Sequence, residues 1–137
     1  MTPEKIALVR GSWQQVLPIK DTAAQLFYGR LFELDPSLRS MFKGDMVEQG
    51  GKLMTMINMV VSSLDNLGPL LGRIETLGRG HVAYGVTEAH YDTVGSALLW
   101  TLGQGLGEQF APAVKDAWTE AYGILSSAMK QAACVPA

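Results

Sequence analysis

Apolar residues recur every three or four positions along most of the chain, which is the spacing of one face of an α-helix. Two of these apolar stripes each contain a single polar residue. The first carries Gln49 among Met46, Leu53, Ile57, Val60 and Leu64. The second leads to His81 through Leu70, Ile74 and Leu77. Nowhere do four to eight residues alternate between apolar and polar side chains with β-branched enrichment, so the sequence predicts an all-α fold.

Capping residues and prolines predict where the first helices begin and end. Residues 2–4 combine a threonine N-cap, a proline at the first helical position and an acid in the first turn. Pro18 is expected to end this helix. Asp21 is a candidate cap for a second helix, which Asp35 and Pro36 should terminate because the residue before a proline avoids the helical conformation.

The C-terminal third contains two further apolar stripes, one from Tyr91 to Leu102 and one from Val114 to Ala128. Each predicts a helix. Three glycines lie between the stripes and are predicted to form the turn that joins the two helices: Gly103, Gly105 and Gly107.

The composition is that of one folded domain. The chain has 137 residues, of which 47% are hydrophobic and 18% charged, so it can bury a core. We therefore expect a single domain over residues 1–137. The net charge of −2 provides no positive surface for a phosphate backbone, which argues against a nucleic-acid partner.

The sequence also bears on cellular location. Glu4 and Lys5 interrupt the segment in which an export signal would need an unbroken apolar core. The longest uncharged runs, residues 53–64 and 93–107, are too short to span a membrane and contain polar residues. Cys134 is the only cysteine, which excludes an internal disulfide. We expect a cytoplasmic protein with no membrane partner.

Signatures of common catalytic sites are absent from the sequence. Two histidines and a single cysteine remote from them do not make a convincing zinc site of three or four ligands, and no GxSxG motif, Walker loop or CxxC pair occurs. What remains is one polar residue in each of three apolar stripes. Gln49 and His81 lie in the two stripes described above, and Tyr28 lies in a third with Ala24, Phe27 and Leu31. A buried polar group without a partner costs about 1 to 3 kcal/mol, so three that converge would be best tolerated around an occupant such as haem. Taken singly, each has an ordinary interpretation as a core or helix-edge residue.

Two segments of the N-terminal half resemble globins. Tyr28 precedes Pro36 by eight residues and Phe42 follows it by six, as in the second helix, short third helix and haem-stacking phenylalanine of that family. The segment QGGKLM, residues 49–54, is similar to the distal helix of bacterial globins. This resemblance implies that Tyr28 and Gln49 face the gas ligand and that Phe42 stacks on the porphyrin.

The C-terminal half carries the most specific resemblance. The segment GRGHVAYGVTEAHYDTVGSALL, residues 78–99, resembles the proximal region of flavohaemoglobins and related single-domain bacterial globins. It selects His81, and not His90, as the iron ligand. Residues 117–129 resemble the last globin helix, and Trp13 resembles the tryptophan common near the end of the first. The resemblance implies the globin fold, a three-on-three helical sandwich that encloses one haem b.

Further haem contacts follow from the same resemblance. Lys52 would lie near a propionate, and Leu53 over the iron. The other residues expected to line the pocket are Phe42, Ile57, Leu77, Val86, Tyr91, Val94 and Leu98. We interpret His90 as a surface or propionate-edge histidine. No distal histidine is available to close on the iron when no gas is present, which leaves Tyr28, Gln49 and Met46 as the candidates.

Two departures from flavohaemoglobins bear on the chemistry. The sequence ends at Ala137 without a flavin- and nicotinamide-binding reductase, so we expect any turnover to need a separate flavin reductase. Tyr91 matches the proximal tyrosine, but Ala132 and Ala133 stand where those relatives have a glutamate. Without that carboxylate, His81 should be a more neutral imidazole, as in oxygen carriers, and peroxidase-like activation is disfavoured.

Three functions remain open. The first is reversible binding of dioxygen, with nitric oxide and carbon monoxide as further ligands and with high oxygen affinity because Tyr28 and Gln49 would both donate hydrogen bonds to the gas. The second is a nitric oxide dioxygenase that converts nitric oxide and dioxygen to nitrate with an external reductase. The third is a helical interaction module that holds no haem.

Overall fold

The computed structural model describes residues 2–41, 44–66, 68, 72–74, 76 and 88–134, with the side chains of all of these except 41, 88 and 130–134. Within these ranges the chain forms long α-helices and no strand, in agreement with the predicted all-α class. No helix in the described part is long and apolar enough to cross a membrane.

Five long helices and three short 3₁₀ turns can be bounded within the described residues, which also include helical residues at 72–74 and 76. In chain order the helices are α1 (Pro3–Val16), α2 (Lys20–Leu34), α3 (Met46–Ser62), α4 (Glu88–Leu106) and α5 (Pro112–Cys134). The 3₁₀ turns are Leu17–Ile19, Pro36–Met41 and Gly107–Gln109.

Side-chain caps fix the start of two helices. The Thr2 hydroxyl accepts a hydrogen bond from the Lys5 backbone N–H at 3.2 Å, which confirms the predicted N-cap of α1. Asp45 caps α3 in the same way, since its carboxylate accepts from the Val47 N–H at 2.9 Å. Asp21 does not cap α2. The helix continues directly from a 3₁₀ turn and begins at Lys20, which leaves Asp21 inside the first turn.

The glycines near the end of α4 correct a second prediction. Gly103 and Gly105 belong to the helix, and only Gly107 adopts a left-handed conformation, with φ of 58°. A Cβ on Gly103 would lie 3.5 Å from the Phe110 ring, and one on Gly105 would lie 3.3 Å from Ile19 Cδ1. A Cβ would make an ordinary van der Waals contact at Gly103, whereas at Gly105 the Ile19 side chain would have to shift slightly. Both glycines are helical, so the turn begins later than predicted.

The helices pack in two linked groups. α2 lies against α3 and α4, while α1 lies against α3 and α5. Trp13 of α1 and Trp118 of α5 meet edge to face with ring centroids 6.0 Å apart, and the Trp118 indole N–H donates to the buried Ser12 hydroxyl at 2.8 Å. A second apolar cluster joins α2, α3 and α4, and it contains Tyr28 of the predicted site.

The backbones of α2 and α3 approach closely at one crossing point. A Cβ built on Gly50 would lie only 2.9 Å from the Ala24 Cβ, a distance at which the two helices must move apart. We predict that Gly50→Ala lowers the free energy of unfolding by about 1 to 3 kcal/mol through overpacking. The matched variant Gly51→Ala meets nothing within 4 Å and should stabilise the protein by about 0.5 to 1 kcal/mol through helix propensity. Urea denaturation measures the free energy of unfolding of both variants. Equal changes in the two variants would contradict the close approach of α2 and α3 at Gly50.

Arg10 of α1 closes the C-terminal end of α3. Its Nε donates to the Val61 carbonyl at 3.1 Å, and its Nη2 donates to the Ser62 carbonyl at 2.8 Å and to Asp65 at 2.9 Å. The carbonyls at the end of a helix lack partners within the helix, so this guanidinium satisfies two of them. We predict that Arg10→Ala costs about 1 to 2 kcal/mol in urea denaturation.

The exposed Asp65 allows the cap and the ion pair to be separated. Asp65→Asn keeps Arg10 on the α3 carbonyls and removes only a solvent-screened ion pair, so it should lower the free energy of unfolding much less than Arg10→Ala does. If Asp65→Asn proved as costly as Arg10→Ala, the contribution would belong to the ion pair and not to the helix end.

Candidate functional site

Tyr28 and Gln49 come together between α2 and α3. Tyr28 is 7% exposed and lies in the middle of α2, while Gln49 is half-buried in the first turn of α3. Burial raises the pKa of the Tyr28 phenol above its ordinary value of 10.0, and the Gln49 side chain lies close enough to the phenol to offset part of that rise. The phenol is therefore neutral at physiological pH and keeps its proton.

Tyr28 belongs to a cluster of apolar side chains. The buried members of the cluster are Phe27, Tyr28, Leu31, Leu38 and Ala97, and the partly buried hydrophobic residues packed on it are Phe32, Met46, Leu53, Val94 and Leu98. Three of the predicted pocket residues, Leu53, Val94 and Leu98, are thus brought together with Tyr28. Ile57 is partly buried on the neighbouring main core, which Leu53 and Leu98 also contact.

Two aromatic rings hold the Tyr28 ring in place. Phe27 meets it edge to face with centroids 5.1 Å apart, and Phe32 stacks on it at 6.1 Å and 27°. The Arg39 guanidinium lies 5.5 Å from the centre of the Phe32 ring, within the range of a cation–π contact. The sequence analysis missed Phe32 and Arg39. Phe32 follows Tyr28 by four residues on the same helix, and this spacing was the signal that could have found it.

The two charged residues singled out from the sequence lie nearer the surface. Lys52 is exposed, and its ammonium is 3.7 Å from the Glu48 carboxylate one turn earlier in α3. His90 Nε2 lies 3.9 Å from Asp35 Oδ2, and the histidine side chain is only 17% exposed. The predicted roles of Lys52 and His90 at the edge of the haem stay predictions.

Tyr91 lies in a different cluster from Tyr28. It is buried with Ile74 and Met129, and its burial raises the pKa of its phenol. Tyr122, which the sequence analysis did not single out, donates from its hydroxyl to the Tyr91 backbone carbonyl at 2.6 Å and thereby ties α5 to α4. The other proximal residues and the stacking phenylalanine lie outside the described residues: Phe42, Leu77, His81 and Val86.

Comparison with known proteins identifies the family. The family model described as Globin matches residues 25–129, which is most of the chain. The chain belongs to the globin family. Among curated relatives, this globin is 33% identical over 138 residues to a neuroglobin of Chaenocephalus aceratus, covering 90% of this chain and 87% of that protein. It is 35% identical over 136 residues to a neuroglobin of Danio rerio, covering 89% and 86%.

A solved structure supports the same assignment. The bacterial globin from Campylobacter jejuni superposes with a TM-score of 0.85 at 26% identity, and the match covers 96% of each chain. The predicted globin fold is therefore confirmed. As a globin, this protein uses a haem cofactor to bind small gas ligands such as oxygen.

The described residues fit a haem site. The neutral phenol of Tyr28 is a polar group buried in an otherwise apolar cluster, with Gln49 close to it. Leu53, Val94 and Leu98 are apolar side chains of this cluster and are of the kind that would contact a porphyrin. When bound, the haem supplies the iron that coordinates the gas. The protein residues supply hydrogen bonds, shape and exclusion of water.

Proposed function

We propose that this globin reversibly binds dioxygen with high affinity at a haem b, with Tyr28 and Gln49 as distal hydrogen-bond donors and His81 as the iron ligand. The observation that carries the proposal is the close approach of Gln49 to the phenol of Tyr28, which is buried in an apolar cluster. It supports the two distal assignments that the sequence resemblance made independently.

The protonation state of Tyr28 suggests how the pair works. Burial raises the pKa of the phenol, so the phenol keeps its proton at physiological pH. A protonated phenol can donate its O–H to the gas. Dioxygen takes on negative charge when it binds ferrous haem, so a donor in a dry pocket stabilises it more than the same donor would in water.

The remaining haem contacts are part of this proposal. Phe42 stacks on the porphyrin, Lys52 lies near a propionate, and the apolar contacts come from Leu53, Ile57, Leu77, Val86, Tyr91 and Val94. The partly buried positions of Leu53 and Val94 in the Tyr28 cluster support their assignment. Nitric oxide and carbon monoxide are further ligands of the same site, because both bind ferrous haem.

Nitric oxide dioxygenation is the alternative function, and the same observation favours it. Tyr28 and Gln49 would retain dioxygen until nitric oxide arrives, and the products would be nitrate and ferric haem. Each turnover then consumes one electron, which a separate flavin reductase must return to the iron.

The first experiment is an absorption spectrum of the purified protein in its ferric, ferrous and carbon monoxide forms, followed by an oxygen-binding curve. We expect a haem Soret band in every form and a curve that saturates at low oxygen pressure. A protein that stays colourless after haem is added would overturn the proposal and favour a helical interaction module.

The second experiment separates the two functions. Nitric oxide consumption is measured in the presence of oxygen, with and without a flavin reductase and reduced nicotinamide cofactor. Sustained conversion to nitrate that depends on the reductase would establish the dioxygenase. A single stoichiometric turnover under both conditions would leave reversible binding as the function.

A further inference from the structure

A groove of about 260 Å³ runs along the surface between α2 and the first turns of α3. Its floor is made of buried residues, Ala24, Tyr28 and Gly50, and its rim includes the exposed positions Gly29 and Gly51. Cβ atoms built on Gly29 and Gly51 meet nothing within 4 Å, so the space beside these two glycines is open.

Tyr28 belongs both to this groove and to the candidate gas site. Its side chain lines the groove and is also buried in the apolar cluster on which Leu53, Val94 and Leu98 pack. Phe32 and Met46 likewise line the groove and pack on that cluster. These three side chains therefore lie between the groove and the apolar cluster.

We propose that this groove is an entry and exit route for small uncharged gases, which pass between α2 and α3 beside Tyr28 to reach the site. The inference rests on the proposed function of gas binding. A diatomic gas is similar in size to water, which needs only about 10 to 15 Å³, so the groove is wide enough to admit it. Phe32, Met46 and Val47 give the walls apolar surface that favours an uncharged gas over ions.

Entry requires a small side-chain movement, because the Tyr28 ring closes the floor. The ring is held by Phe32, which stacks on it, and Phe32 is in turn covered by Arg39. Rotations of such side chains are far faster than the bimolecular binding of a gas at micromolar concentration. Filling the groove should therefore lower the rate of passage without changing the stability of the bound gas.

The test fills the groove from each wall in turn. Gly29→Phe places a ring in it from α2 and Gly51→Phe does so from α3. Both sites are open and helical, so folding should survive, and circular dichroism verifies it. Gly11→Phe is the matched control, because Gly11 is an exposed glycine of α1 with nothing within 4 Å of a Cβ.

The readouts are the bimolecular rate of carbon monoxide rebinding after flash photolysis, its dissociation rate and the equilibrium constant. We expect both filled variants to slow association and dissociation by about threefold or more, with an unchanged equilibrium constant, while Gly11→Phe keeps the original rates. Unchanged rates in both filled variants would overturn the route and leave the gas site intact.

Two other outcomes are also decisive. A slower association with a changed equilibrium constant in both filled variants would show that the added rings act on the bound gas through Tyr28, which overturns the route. Absence of any carbon monoxide complex in the unmodified protein would overturn the proposed function itself.

Discussion

Replacing Tyr28 with phenylalanine is expected to raise the rate of oxygen dissociation by about tenfold, because the variant loses one hydrogen-bond donor worth about 1 to 2 kcal/mol. The substitution removes a single oxygen atom and leaves the ring in its contacts with Phe27 and Phe32. Stopped-flow replacement of oxygen by carbon monoxide measures the rate. Carbon monoxide carries less charge than dioxygen, so its own dissociation should change much less.

Gln49 provides the partner variant for a double-mutant cycle. Gln49→Leu should raise the oxygen dissociation rate by a smaller factor. In the double variant, the increase in this rate should be smaller than the product of the two single increases, because the two side chains lie close together. Gln15→Leu, an exposed glutamine of α1, is the matched control and should change nothing. An oxygen dissociation rate in Tyr28→Phe equal to that of the unmodified protein would refute the distal assignment.

Removing His81 is expected to abolish stable haem binding, because the side chain would supply the one protein bond to the iron. His81→Gly should lose the Soret band of the purified protein, and added imidazole should restore it by occupying the vacated space. His90→Ala is the control with the other histidine of the chain, and it should keep haem and its spectrum.

The pair of histidine variants also tests the sequence interpretation directly. If His90→Ala lost the haem and His81→Gly kept it, the proximal assignment would have to be exchanged between the two residues. If both variants kept the Soret band, a side chain other than histidine would hold the iron. The imidazole rescue distinguishes loss of a ligand from simple unfolding.

Local signals predicted the helix ends well where one side chain decides them. Thr2 caps α1, and α2 ends directly before Asp35, as the following proline requires. Asp21 shows the limit of such reasoning. It has the right side chain for a cap, but the 3₁₀ turn after Val16 continues into α2 and already orients the chain for the helix.

The glycines of α4 show a different limit. Gly103 and Gly105 carry the local signal of a turn, yet both are helical. Gly105 lies close to Ile19, which is distant in sequence, since a Cβ built on it would be 3.3 Å from Ile19 Cδ1. Such packing between elements depends on the folded structure, and one sequence does not reveal it. Only Gly107 has the conformation that the local signal indicated.

The sequence pointed to the polar residues Tyr28 and Gln49, but not to the residues that pack around Tyr28. Tyr28 and Gln49 interrupt apolar stripes, and that disagreement with the pattern made them visible in the sequence. Phe32 and Arg39 were not visible in this way, because an aromatic residue within a stripe and an exposed arginine both look ordinary. Their contribution arises from ring stacking, which depends on how the 3₁₀ turn after α2 folds back.

The close approach of α2 and α3 at Ala24 and Gly50 links the packing of this globin to its proposed gas site. Ala24 lies one helical turn before Tyr28, and Gly50 follows Gln49 directly, so the spacing of the two helix backbones at this point also sets how far apart Tyr28 and Gln49 lie. On the proposed function, a methyl group at position 50 would therefore alter ligand retention together with stability, although it changes no residue proposed to face the gas.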